Sequence, residues 1–236
     1  MNQTINHEPL TSILFNYKLM KLKYLFATLL LCVSLSTFAQ QLTETEKYVF
    51  DELVYNRREV GEYMVIHKWV TPIRYKIYGE VDQSLLTEID STFSQLKQLT
   101  QLDIQKTEDD AEVNFIFVIG KKDTHMLSAN MHKYLNTYGG SQYKTTKQFA
   151  ISRIENVVMP ENYRFKIEVR HTIKKHIVRS LGFFKASEVA PNSLFYTKNN
   201  NKLKIDQFDS HIISTLYLPS IKPGMTKEEV DLLLKN

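Results

Sequence analysis

The sequence predicts a single-domain α+β protein with its strands early and its helices late. Three observations lead there. Ile73, Tyr75 and Ile77 alternate with Arg74, Lys76 and Tyr78, the period-two pattern of a strand that ends at Gly79. Leu85, Leu86, Ile89, Phe93, Leu96 and Leu99 recur mostly at spacings of three and four, the stripe of an amphipathic crossover helix over 82–99. Beyond the last strand pattern, Pro160 opens a long helix over 161–181 that stops at Gly182, and only helices follow.

Each element has its own signal. A helix over 43–58 starts at Thr43, with Glu46 three residues on as the partner of a capping box. Met64, Ile66 and Trp69 mark an extended stretch before the 71–78 strand. Leu102–Gln105 reads as a short strand, and Val113–Ile119 as a buried strand closing on Gly120. Residues 123–137 are expected to be helical, Tyr138-Gly139-Gly140-Ser141 to turn, and Phe149–Ile154 to form another strand. Residues 191–196 are a loop and Asn199-Asn200-Asn201 a turn. A helix from Asp206 to Tyr217 is broken by Pro219 and Pro223-Gly224, and Thr226 with Glu229 caps a last short helix.

Composition narrows the class. With 43% hydrophobic residues, 24% charged, 7 Gly and 6 Pro in 236 residues, the chain is globular and long enough to bury a sizeable core. Residues 20–39 read as a secretory signal: Met20-Lys21-Leu22-Lys23, a largely apolar run from Leu25 to Leu35, then small residues to Ala39. Residues 1–19 then precede the true start, Met20, and 40–236 is the mature domain, exported to a periplasm or secreted. Removing residues 1–39 takes away Lys18, Lys21, Lys23 and Glu8, so 30 basic and 26 acidic residues become a net +2. That near neutrality gives no argument for a nucleic-acid partner. No second apolar run approaches the ~20 residues that span a bilayer. The single cysteine, Cys32, lies inside the signal, so the mature chain has no disulfide, thiolate metal site or cysteine nucleophile. Leu31 is not the small residue that a lipoprotein signal places before its cysteine.

The chemistry is sought between Lys175 and Tyr217. Zinc peptidases of the zincin class have strands first, then a long helix bearing H-E-x-x-H, with a Gly beyond. His at i and i+4 share a helical face and hold one zinc, and the Glu acts on metal-bound water. Here Leu181-Gly182 ends the long helix. Lys175 then takes the first-His place, His176 the Glu place, Arg179 the second-His place and Lys185 the third-ligand place. Asn192-Ser193-Leu194-Phe195-Tyr196 looks like the turn below a metzincin site, and Leu203–Asp209 running to Leu216-Tyr217 resembles the last helix of such peptidases.

Further pieces resemble the bacterial family called domain of unknown function 2927, whose members are exported and zincin-like. They are Trp69 with Pro72-Ile73-Arg74, Leu99–Ile104, Ala111–Asn114, Leu181-Gly182 with Ser193-Leu194-Phe195, Asp209, Leu216-Tyr217 and Ile221–Met225, covering about residues 69–225 in order. The resemblance implies a small mixed sheet, a crossover helix, a long central helix of active-site type and C-terminal helices. It hands over no reaction.

The departures from the peptidase pattern are chemical. Arg179 has no lone pair to give, and Lys175 would first have to lose a proton. Two cations facing a divalent ion at ~4 Å would each repel it by roughly 4 kcal/mol per unit-charge pair at an effective dielectric of about 20. The expectation is therefore no cofactor, with zinc as the exception to test, and a non-catalytic pseudo-peptidase with a binding or structural role. The alternatives are a metal-dependent hydrolase using His176 as acid–base, or an unrelated secreted α+β module.

His171, Lys175 and Arg179, at i, i+4 and i+8, form a basic stripe. It is either a solvated face or a cleft for a peptide or anionic ligand, such as a chain terminus. His171 and His176 lie about 140° apart around a helix, poor for one metal. His125 and His132 read as surface residues. Ser193 has no acid–base partner in sequence, and Asp209 is expected to order the 192–196 turn or cap a helix. The candidate binding residues are His171, Lys175, His176, Arg179, Ser193 and Asp209; no oligomeric state follows. Peptide mapping of the expressed protein should find nothing from residues 2–18; a peptide from that stretch refutes Met20 as the start.

Overall fold

The computed structural model describes residues 42–55, 64–198 and 200–235. The expected 1–19 leader and the 20–39 signal lie outside them, as do residues 56–58 of the first helix. Leu42–Asn236 is one compact unit. Its helices and strands are α1 (Glu44–Tyr55), β1 (Lys68–Trp69), β2 (Ile73–Gly79), α2 (Gln83–Thr100), β3 (Ile104–Lys106), β4 (Phe115–Ile119), β5 (Gly139–Thr145), β6 (Ala150–Val158), α3 (Lys166–Arg179), α4 (Gln207–Leu216) and α5 (Lys227–Leu234). The class is α+β, with a mixed sheet and several helices.

The sheet runs β1-β6-β4-β2-β3 with every neighbour parallel, and β5 adds to β6 antiparallel. α2 is the crossover between the parallel pair β2 and β3, as a parallel connection requires. Its start is capped by Asp82, whose side chain accepts from the Leu85 N–H at 2.8 Å. β4 is buried at all five positions because both of its faces are covered. Phe115, Phe117 and Ile119 face the main core with α2, α3 and α4, where Ile89, Phe93, Ile173, Ile177 and Ile212 meet them. Ile116 and Val118 face a smaller cluster with Val157, Leu127 and Met131.

Four expectations need correction. Residues 123–137 form two 3₁₀ segments, Thr124–Met126 and Ala129–Tyr134, instead of a helix. Leu127 and Met131 are the buried apolar positions there, too few for a helical stripe, and the Ser128 N–H between the segments donates to Glu155. Gly139-Gly140-Ser141 is the start of β5, not a turn. Gly140 leaves room for the Tyr134 ring against the backbone, and Gly139 takes φ +141° beside the Val157 carbonyl. The strand expected to end at Ile154 runs on to Val158, its polar Glu155 and Asn156 buried and hydrogen-bonded. The long helix begins at Lys166 rather than 161, after a 3₁₀ turn at Pro160–Asn162; the Glu168 carboxylate accepts the Phe165 N–H at its start.

Gly182 ends the segment after α3 with φ +123°, and its Cα lies against the His67 carbonyl oxygen. A methyl group there would overlap that oxygen in a backbone conformation that L side chains rarely adopt. Gly182→Ala should lower stability by about 2 kcal/mol or more, read as a fall in the urea midpoint at unchanged slope.

Candidate functional site

α3 turns Val169, Ile173 and Ile177 into the core against α2 and β6. The other side carries the basic stripe, and the structure places it against the irregular segment 183–203. His171 Nδ1 donates to the Lys202 carbonyl at 2.8 Å, and Lys174 Nζ to the Leu203 carbonyl at 2.6 Å. Lys175 Nζ donates to the Tyr196 carbonyl. Arg179 Nε donates to the Phe183 carbonyl at 3.2 Å, and its Nη2 to that of Phe184. The stripe is therefore not a solvated face: His171 is only 2% exposed. Because its Nδ1 must carry the proton, Nε2 holds a lone pair, buried and without a partner among the described residues.

Ser193 and Asp209 come together in the same segment. Asp209 is fully buried on α4; its Oδ1 accepts from Ser193 Oγ at 2.6 Å, and the Leu194 N–H approaches both carboxylate oxygens. Lys202 Nζ lies 2.7 Å from Asp209 Oδ2 and 2.6 Å from Asp206. Ser193 Oγ in turn accepts the Phe195 N–H at 2.9 Å. Burial pushes the Asp209 carboxyl up, and Lys202 and Ser193 oppose that. The pair orders the 192–196 turn, and Lys202 connects it to His171.

His176 belongs to a different set. Its Nδ1 lies 2.6 Å from Ser141 Oγ on β5. Ser141 Oγ donates to Asn156 Oδ1, Asn156 Nδ2 donates to Ser180 Oγ at 3.1 Å, and Ser180 Oγ reaches the His176 carbonyl at 2.8 Å. Register makes this ring. Ser141 sits opposite Asn156 in the β5–β6 pair, and Ser180 follows His176 by four residues, one helical turn. The half-buried imidazole is held neutral: desolvation, then Arg179, then Lys175 push its pKa down to about 3. Burial and Arg179 push Lys175 down to about 8. Among the described residues, no three His, Cys, Asp or Glu side chains are grouped to hold a metal ion. His125 and His132 are exposed on the 3₁₀ segments, and His211 pairs with Glu46 of α1 at 2.9 Å.

Residues 47–236 match the family model described as a protein of unknown function, DUF2927. The chain belongs to this family. No curated protein matches the sequence. The family match spans β1 through α5, and so takes in the whole α3 face and its partners.

Sequence reasoning missed Ser141, Asn156, Ser180 and Lys174. The sequence pattern puts Ser141 in a turn and ends the strand before Asn156. The polar Glu155-Asn156 step after an apolar run is the one signal that could find Asn156, and with it Ser141 opposite.

The two histidines of α3 set a pH dependence. His171 and His176 both have pKa values lowered from the ordinary 6.5, so below that pH the unfolded chain takes up protons that the folded chain refuses. Stability is then complete above 6.5 and falls as the pH drops, by up to about 1.4 kcal/mol per pH unit for each histidine. His171→Asn keeps a donor for the Lys202 carbonyl but cannot titrate. Urea titrations between about pH 7 and 5 should show a shallower loss for this variant than for the parent.

Proposed function

We propose that the chain is an exported, non-catalytic binding protein on a metallopeptidase-like frame, with an extended peptide as its ligand. Support for the frame comes from the order of elements: parallel strands, an antiparallel edge strand, then β6 and the helix that carries Lys175, His176 and Arg179. The observation that carries the non-catalytic reading is the pair of cations in the two ligand places. Lys175 donates to Tyr196, and Arg179 to Phe183 and Phe184. A metal needs lone pairs, and these groups present N–H. The residues present do not fit zinc, and no hydrolytic step is drawn through one.

The peptide reading rests on β5. It is an edge strand, and among the described residues no strand pairs with its second edge. Such an edge offers unpaired N–H and C=O groups to an extended chain. Ser141, exposed on β5, ties that edge to His176 below it.

Elemental analysis of the purified protein after exhaustive dialysis should find no bound metal. About one zinc per chain, lost in His176→Ala, would overturn this reading in favour of a hydrolase.

A further inference from the structure

We propose that the surface where β5 and α3 begin docks on an anionic phospholipid bilayer. Phe165 and Tyr138 enter the headgroup layer, and Lys133, Arg164 and Lys166 meet its phosphates. This surface is independent of the peptide reading above and uses neither Ser141 nor His176.

The near-neutral sum of charges hides a division along the chain. Residues 121–204 hold 16 basic and 5 acidic side chains, a net +11, while residues 40–120 hold 8 basic and 15 acidic ones, a net −7. Lys174, Lys175 and Arg179 spend part of that excess on carbonyls of the 183–203 segment. Lys133, Arg164 and Lys166 do not. All three are exposed, and among the described residues no carboxylate pairs with any of them. Lys121, by contrast, has Glu161 at 3.4 Å.

Two large aromatic side chains stand out among these cations: Tyr138 is 62% exposed and Phe165 54%. Hydrogen bonds join their segments. The Tyr163 hydroxyl donates to the Tyr138 carbonyl at 3.1 Å, and Asn162 Nδ2 donates to the Thr137 carbonyl. The Tyr138 and Tyr163 rings meet edge to face, with centroids 5.0 Å apart. Phe165 follows two residues on, and the Arg164 guanidinium lies 5.0 Å from its ring centroid. Lys133 Nζ lies 5.0 Å over the ring of Tyr134, whose carbonyl accepts the Thr137 N–H. The patch therefore turns outward ring surface with cations laid against it. An anionic bilayer is its complement, because it offers many mobile phosphates over an apolar layer in which such rings settle. An acidic polysaccharide meets the cations too, but rings that grip a sugar need directed polar groups beside them. Here the Asn162 amide and the Tyr163 hydroxyl donate inward.

The test is flotation of the purified protein with vesicles of phosphatidylcholine alone, and of phosphatidylcholine with about 30% phosphatidylglycerol. Partitioning onto the anionic vesicles should be at least about tenfold stronger and should weaken as salt rises. Arg164→Glu with Lys166→Glu should bring it down to the neutral-vesicle level. Tyr138→Ser with Phe165→Ser should lower it by about tenfold. Binding that survives both double substitutions, as any binding through the apolar 25–35 run would, overturns the proposal. Phe165→Trp keeps a ring at the surface, and its emission should shift to the blue on anionic vesicles, while Trp69, fully buried, stays constant. An emission that does not move overturns the proposal as well. Heparin, a soluble polyanion, is the third probe. Heparin binding without vesicle binding makes this a site for acidic polysaccharides and overturns the bilayer reading, as does binding to neither.

Discussion

The structure depends on one constraint: the backbone carbonyls of the irregular segment 183–203 need donors, and α3 supplies them. A segment without regular hydrogen bonding cannot be buried against a core unless its polar backbone is satisfied from elsewhere. His171, Lys174, Lys175 and Arg179 reach five carbonyls, those of Lys202, Leu203, Tyr196, Phe183 and Phe184. Long cationic side chains suit this task, because each carries several donors and no acceptor, and its aliphatic stem covers apolar surface on the way. The held segment then presents Ser193 and Leu194 to Asp209, which anchors it to α4.

The same device recurs where α4 ends. Lys68, buried on β1, donates to the carbonyls of Leu216, Leu218 and Ile221 where α4 ends. No carboxylate pairs with it among the described residues; the carbonyl cage and the negative end of the helix stand in for one. Tyr217, beside that cage, accepts the Trp69 N–H on its hydroxyl and donates to the Leu181 carbonyl at 2.8 Å. Trp69 Nε1 donates to the Ser180 carbonyl at 3.0 Å. The end of α3, the start of the sheet and the end of α4 are thereby joined through buried polar contacts next to the His176 ring.

This explains how α3 carries Lys175 and Arg179 on a packed side: both side chains bring donors, and the carbonyls of Tyr196, Phe183 and Phe184 accept them. Desolvation, with the charges of Arg179 and Lys175 added to it, depresses the His176 imidazole.

Periodicity made the main elements legible. The 82–99 stripe, the 73–79 alternation and the Val113–Ile119 run correspond to α2, β2 and β4, because apolar spacing alone sets which face is buried. The stripe at His171, Lys175 and Arg179 was legible too, since i, i+4 spacing fixes a shared face. Its use was not. Whether a cation on a helix meets solvent, an anion or a carbonyl depends on what packs there, and the 183–203 segment has no pattern that says where it lies. β5 was hidden for a related reason. Gly139 and Gly140 favour turns by themselves, and only the Tyr134 ring and the β6 partner make them a strand. The sequence by itself determined the main periodic elements and the basic face of α3. Tertiary structure alone decided that Ser141 meets His176 across β5 and α3, because register and helix docking are properties of long-range packing.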